Sequence, residues 1–136
     1  MEYLLKKLNY KGQDRICIVN SNNGFIEKFH KLKPWVRVDQ EIDPKYLYEF
    51  CLIFVKHESD LKETVPQSIH NLTDDGVLWF AYPKKSSEKY DSEISRDEGW
   101  DLVNSHGFEP VRQVFIDEDW SALRFRNAKY IKRSNQ

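Results

Sequence analysis

The chain has 136 residues, the size of one domain, and folding can bury roughly two-thirds of its unfolded surface. Its 21 basic and 22 acidic residues leave a formal net charge of -1, so no global field draws it to nucleic acid or an anionic membrane, and neither is expected as a partner. Aromatic residues make up 14% of the chain, too many for a disordered one.

The first element follows Asp14, where Arg15-Ile16-Cys17-Ile18-Val19 is almost continuously apolar and runs into the polar turn Asn20-Ser21-Asn22-Asn23-Gly24. This is the pattern of a strand buried on both faces. Phe25, Ile26, Phe29 and Leu32 then recur at helical spacing, with Asn22 or Asn23 as the cap and Pro34 as the stop. Val36-Arg37-Val38-Asp39 reads as a short second strand, and residues 50–55, beyond the Asp43-Pro44 turn, as a third. Ser59 is the expected cap of a second helix whose Leu61, Val65, Ile69 and Leu72 share a face. Pro66 should kink or restart it, and Asp74-Asp75-Gly76 should close it.

Residues 77–82 form a fourth strand stopped by Pro83, and the polar residues 84–93 are the one internal stretch expected to be floppy. Ser95 and Glu98 have the spacing of a capping box and predict a helix through Trp100 and Val103, ended by Gly107. Residues 111–116 and 120–126 are separated only by Asp117-Glu118-Asp119, so they must pair as an antiparallel hairpin. The whole, residues 1–136, is therefore one α/β domain of three layers around a mostly parallel, Rossmann-like sheet with a C-terminal antiparallel hairpin, and residues 128–136 are a frayed tail.

No run is long enough to cross a bilayer, and residues 1–7 lack a signal-peptide pattern, so an untargeted, cytoplasmic protein is expected. Cys17 and Cys51 lie inside apolar runs and read as reduced, buried thiols.

Two stretches carry a resemblance. Leu72-Thr73-Asp74-Asp75-Gly76-Val77-Leu78-Trp79-Phe80, and His106-Gly107-Phe108 with the terminal hairpin, resemble the second half of class I S-adenosylmethionine methyltransferases. More closely, residues 79–86 and 116–125 are similar to the signature stretches of a short bacterial family of unassigned function built on that scaffold. The resemblance implies a methyltransferase sheet lacking its outermost early strand, because residues 41–47 cannot hold a helix-strand-helix insert. The implied strand order is second, first, third, fourth, sixth, fifth, with only the sixth antiparallel. It also implies a glycine-rich turn after the first strand, where this chain has asparagines and the single Gly24.

By the rule for open α/β sheets, a ligand lies beyond the carboxyl ends of the parallel strands. That rim gathers Asn20, Ser21, Asn22, Asn23 and Gly24, then Lys56, His57 and Glu58, then Lys84, Lys85 and Ser86, with Asp39 spaced to meet ribose hydroxyls. These donor-rich residues suit a small anionic or nucleotide-like ligand, the amides at the start of the first helix meeting the anion. His57 and Lys84 are the candidates for catalysis. Asp117, Glu118 and Asp119 lack the alternation of a calcium loop, and no metal is expected.

With the glycine turn substituted, the expected function is a small-ligand-binding or interaction module without standard methyl transfer and without a cofactor. The alternatives are a divergent methyltransferase using S-adenosylmethionine, another small enzyme in the same cleft, or a module whose bare sheet edge takes a protein partner or a second copy.

Overall fold

The structure, a computed structural model, describes residues 1–21 and 24–132. In chain order its elements are α1 (Glu2–Lys7), β1 (Arg15–Val19), α2 (Phe25–Leu32), β2 (Arg37–Asp39), β3 (Tyr48–Phe54), α3 (Glu58–His70), β4 (Leu72–Pro83), α4 (Asp101–Ser105), β5 (Phe108–Phe115) and β6 (Trp120–Asn127), followed by a single 3-10 turn, Ala128–Tyr130. The strands form one sheet in the order β2-β1-β3-β4-β6-β5. Strands β1 to β4 run parallel and β6 is antiparallel to both its neighbours, as the resemblance implies.

The apolar runs are continuous because both faces of the sheet are covered. Cys17, Val19, Ile53 and Phe80 face Leu61 and Val65 of α3 and Val103 of α4. Their neighbours Ile18, Leu52, Phe54 and Trp79 face Leu5 of α1 and Phe25 and Phe29 of α2. Cys17 and Cys51 are register partners on β1 and β3, both buried and both free thiols. The neighbouring Cys17 thiol and burial push the Cys51 thiol well up, so it is protonated at neutral pH.

Helix α1 is the element that sequence patterning passes over, being six residues long with no side-chain cap. Its stability is tertiary: Leu5 and Leu8 are buried, and the Trp79 indole N–H donates to the Leu8 carbonyl at 2.8 Å.

Strand β2 has three residues, and the chain then passes from β2 to β3 through residues 40–47 without a helix. Polar bonds hold this link. The Tyr48 hydroxyl donates to Asp39 and accepts the Asp43 N–H at 3.0 Å, while the Asn71 amide donates to the Asp43 and Tyr46 carbonyls at 3.2 and 2.9 Å. Among the described residues β2 is the sheet edge; its brevity and exposed Arg37 make it a poor template for a further strand.

Several local expectations are corrected. Helix α3 starts at Glu58 with His57 as N-cap, not at Ser59, because Asp60 reaches back to accept the Lys56 and His57 N–H groups at 2.8 and 3.0 Å. Pro66 does not restart α3, which runs unbroken to His70; the proline sits on the exposed face, where water can serve the carbonyl it leaves without a donor. Asp74, Asp75 and Gly76 do not close that helix. They bulge out of β4 between the register pairs Tyr48–Leu72 and Phe50–Val77, with Asp75 left-handed at φ 55° and clamped by Arg126 at 2.7 and 2.6 Å.

Ser95 and Glu98 open no helix. The Ser95 N–H donates to the Glu98 carbonyl at 3.1 Å, closing a turn that the buried Trp100 fixes by donating to the Ser95 carbonyl at 2.8 Å, and α4 begins only at Asp101. Residues 84–93 lack regular structure yet are tied down: the Lys84 N–H donates to the Asp119 carbonyl at 2.8 Å, the Ser87 hydroxyl to Asp119 at 2.8 Å, and the Ser92 hydroxyl to the Lys56 carbonyl at 2.7 Å. The expected frayed tail is pinned at its start, where the Ala128 N–H donates to the Gly107 carbonyl at 2.9 Å. Among the described residues no helix is long and apolar enough to cross a membrane.

Candidate functional site

Where β1 and β2 end, a cleft of ≈ 530 Å³ opens between the loop after β1 (Val19, Asn20, Ser21), the loop after β2 (Gln40, Glu41, Ile42) and α3 (Glu63, Thr64, Gln67). Asn20 turns the chain out of β1 in the left-handed region at φ 56°, a conformation that a short amide side chain tolerates better than most. Gly24, at φ 92°, occupies the N-cap of α2 with no side-chain cap, and it stands beside the cleft rather than in its lining. Asn22 and Asn23, expected both as caps and as ligand contacts, lie outside the described residues.

Helical spacing brings Glu63, Thr64 and Gln67 onto one face of α3. The Thr64 hydroxyl donates to the Asp60 carbonyl at 2.8 Å, and buried Val19 and Ile42 give the cleft an apolar floor. Three amides, two hydroxyls and the carboxylates of Glu41 and Glu63 line the remainder, and no Lys, Arg or His is among the described lining residues. The cleft is therefore electronegative, which opposes a phosphate or other anion.

Asp39, placed by spacing to meet a ribose, is engaged elsewhere. It accepts Arg15 Nε at 2.9 Å, Arg37 Nε at 3.0 Å and the Tyr48 hydroxyl, with only 11% of its side chain exposed. Burial pulls its pKa up, but the bonds from Tyr48, Arg15 and Arg37 prevail and hold the carboxyl below the ordinary range. The same Arg15 bonds Asp43 at 2.9 Å and lies over the Tyr46 ring at 4.0 Å, so Asp39 serves to join β1, β2 and the link to β3.

The rim expected to be continuous is divided. Lys84, Lys85 and Ser86 line a different depression, beside Phe115, and β3 stands between β1 and β4 in the sheet. The two ends are thus about 10 Å apart, two strand spacings. His57 is about half exposed, its Nδ1 3.7 Å from Glu93, while Lys84 Nζ lies 4.7 Å over the Phe115 ring. No hydrogen bond or ion pair joins these two candidates among the described residues. Of the rim residues, Asn20 and Ser21 are in the cleft; Gln40, Glu41, Glu63, Thr64 and Gln67 are the lining that sequence reasoning passes over. A polar pair four residues apart, Glu63 and Gln67, on an otherwise amphipathic helix was the available signal.

No protein-family model matches the chain, and no curated protein matches it in sequence. Solved structures match in fold. The N-methyltransferase NodS from Bradyrhizobium japonicum WM9, in complex with S-adenosyl-l-homocysteine, aligns at 13% identity over 93% of this chain and 84% of its own, with a TM-score of 0.61. A SAM dependent methyltransferase from Aquifex aeolicus aligns at 12% identity over 93% and 89%, with a TM-score of 0.65. The ribosomal protein L11 methylase from Lactobacillus delbrueckii subsp. bulgaricus aligns at 11% identity over 93% and 77%, with a TM-score of 0.56. Such identities speak for architecture alone: the chain has the Rossmann-like, mostly parallel α/β fold of class I S-adenosylmethionine-dependent methyltransferases, closed by an antiparallel hairpin.

Proposed function

We propose that the chain is a methyltransferase-like binding module that takes a neutral, nucleoside-like ligand in the cleft between β1, β2 and α3 and transfers no methyl group. The observation that carries this is the lining, rich in amides and hydroxyls, acidic at Glu41 and Glu63, and without a described cation. A volume of ≈ 530 Å³ lies within the usual range of small-molecule sites, about 300–1,000 Å³. A planar base would lie on Val19 and Ile42, ribose hydroxyls would donate to the two carboxylates, and base edges would meet Asn20, Gln40 and Gln67.

The anionic character expected of the ligand is dropped, since a phosphate here would face like charge. S-adenosylmethionine and S-adenosylhomocysteine are disfavoured on steric grounds instead: their methionine ends would have to pass the Asn20 side chain, where close backbone approach needs a glycine turn. This reading keeps the kinship with the short bacterial family and a reducing cytosol in which Cys17 and Cys51 remain thiols.

An amide-resolved NMR titration of the full chain, read at Gln40, Thr64 and Gln67 of the cleft, separates the readings. Adenosine should bind at least about tenfold more tightly than adenosine monophosphate, a gap that one uncompensated charge readily produces. S-adenosylmethionine and S-adenosylhomocysteine should show no micromolar binding. Micromolar affinity for either would replace this reading with a divergent methyltransferase.

A further inference from the structure

Phe115, Ser121 and Tyr82 are successive register partners across β5, β6 and β4, so their side chains form one row on the α4 side of the sheet. A serine between two rings leaves space that a larger side chain would fill, and the turn at Ser95, Arg96 and Asp97 forms the opposing wall. The result is a pocket of ≈ 450 Å³. Phe115 is 63% exposed, an apolar side chain left in water, with Lys84 Nζ 4.7 Å from its ring centroid. Lys84, Lys85 and Arg96 face the single carboxylate of Asp97, so the pocket is electropositive where the cleft is electronegative. On its inner side the Gln113 amide donates to the Tyr82 hydroxyl at 2.7 Å, which orders a polar edge.

We infer that this pocket is a second binding site, for a planar aromatic anion whose ring stacks on Phe115 and whose carboxylate or phosphate is met by Lys84, Lys85 and Arg96. An exposed ring offers stacking to any flat π-face, and the cations beside it select the charged ligands among them. The site is independent of the β1–β2 cleft and stands or falls separately from the reading given for that cleft.

The test is an amide-resolved NMR titration of the full chain, following the Gln113 side-chain amide and the Ser86 and Arg96 backbone signals. The probes are 2-naphthoate, the uncharged 2-naphthamide and the ring-saturated cyclohexanecarboxylate, with adenosine monophosphate as the phosphate arm. One of the two aromatic anions should shift these signals saturably, 2-naphthoate if the pocket selects carboxylates and the nucleotide if it selects phosphates. The amide and the saturated acid should bind at least about tenfold more weakly. Phe115→Ala and Arg96→Ala, both at exposed positions that leave the fold in place, should each weaken the bound anion about tenfold. Unmoved Gln113 signals with both aromatic anions, or a Phe115→Ala variant that binds as tightly as the parent, would overturn the assignment.

Discussion

Asp39 and Asn20 show how two side chains near the ends of neighbouring strands come to different duties. Asp39 is held by two arginines and a phenol, and its partner Tyr48 is buried. Tyr48→Phe deletes both the donor to Asp39 and the acceptor of the Asp43 N–H, and should cost about 1–3 kcal/mol in urea unfolding at neutral pH. Asp39 and Asp75 both have folded pKa values below the ordinary carboxylate range, so on acidification the unfolded chain takes up these protons first. Their stabilisation is complete above that range and is lost as pH falls through the lowered folded values. Tyr48→Phe removes one bond that holds Asp39 down, so stability plotted against acid pH should be flatter in the variant than in the parent. At Asn20, glycine should be tolerated within about 1 kcal/mol and valine should cost about 1–2 kcal/mol, because only the β-branched residue is strained at φ 56°. What spacing alone could not reveal is that Arg15, at the opposite end of β1, reaches Asp39 and takes it out of the ligand's reach.

At the scale of elements, the strands and α2 were legible while the ends of α3 and the start of α4 were not, for a physical reason. Strands β1, β3 and β4 are buried on both faces, so their apolar runs are unbroken and unmistakable. Helix ends depend on single side-chain bonds, and these answer to tertiary contacts. The Ser95–Glu98 pair matched a capping box, yet burying the Trp100 indole against the Ser95 carbonyl imposed a turn instead. Gly99 makes that turn at φ 98°, and a Cβ there would lie 3.2 Å from the Ile94 side chain. Gly99→Ala should therefore destabilise by about 1–2 kcal/mol from backbone conformation alone, read as a lower urea midpoint with unchanged slope. Helix α1 stayed invisible because its support is tertiary: Leu5 and Leu8 are buried, and the Leu8 carbonyl accepts from Trp79, 71 residues away, contacts that no local pattern encodes.

Across the whole molecule, the strand order was legible because parallel crossovers and one short hairpin leave few alternatives, while the candidate site was legible only in part. The carboxyl-end rule points to the end of the sheet where the cleft opens, and Asn20 and Ser21 line that cleft. It could not say that β3 divides the rim into an acidic cleft over β1 and β2 and a basic, aromatic pocket over β4, β6 and β5. Charge sorting of this kind is a property of the assembled sheet, since the net charge of -1 conceals it completely. Titrating the labelled chain with adenosine and mapping the perturbed amides tests the central claim most directly. The shifts should gather at Asn20, Ser21, Gln40, Thr64 and Gln67 and leave the residues around Phe115 still; a chain whose cleft amides do not move at saturating adenosine would contradict it.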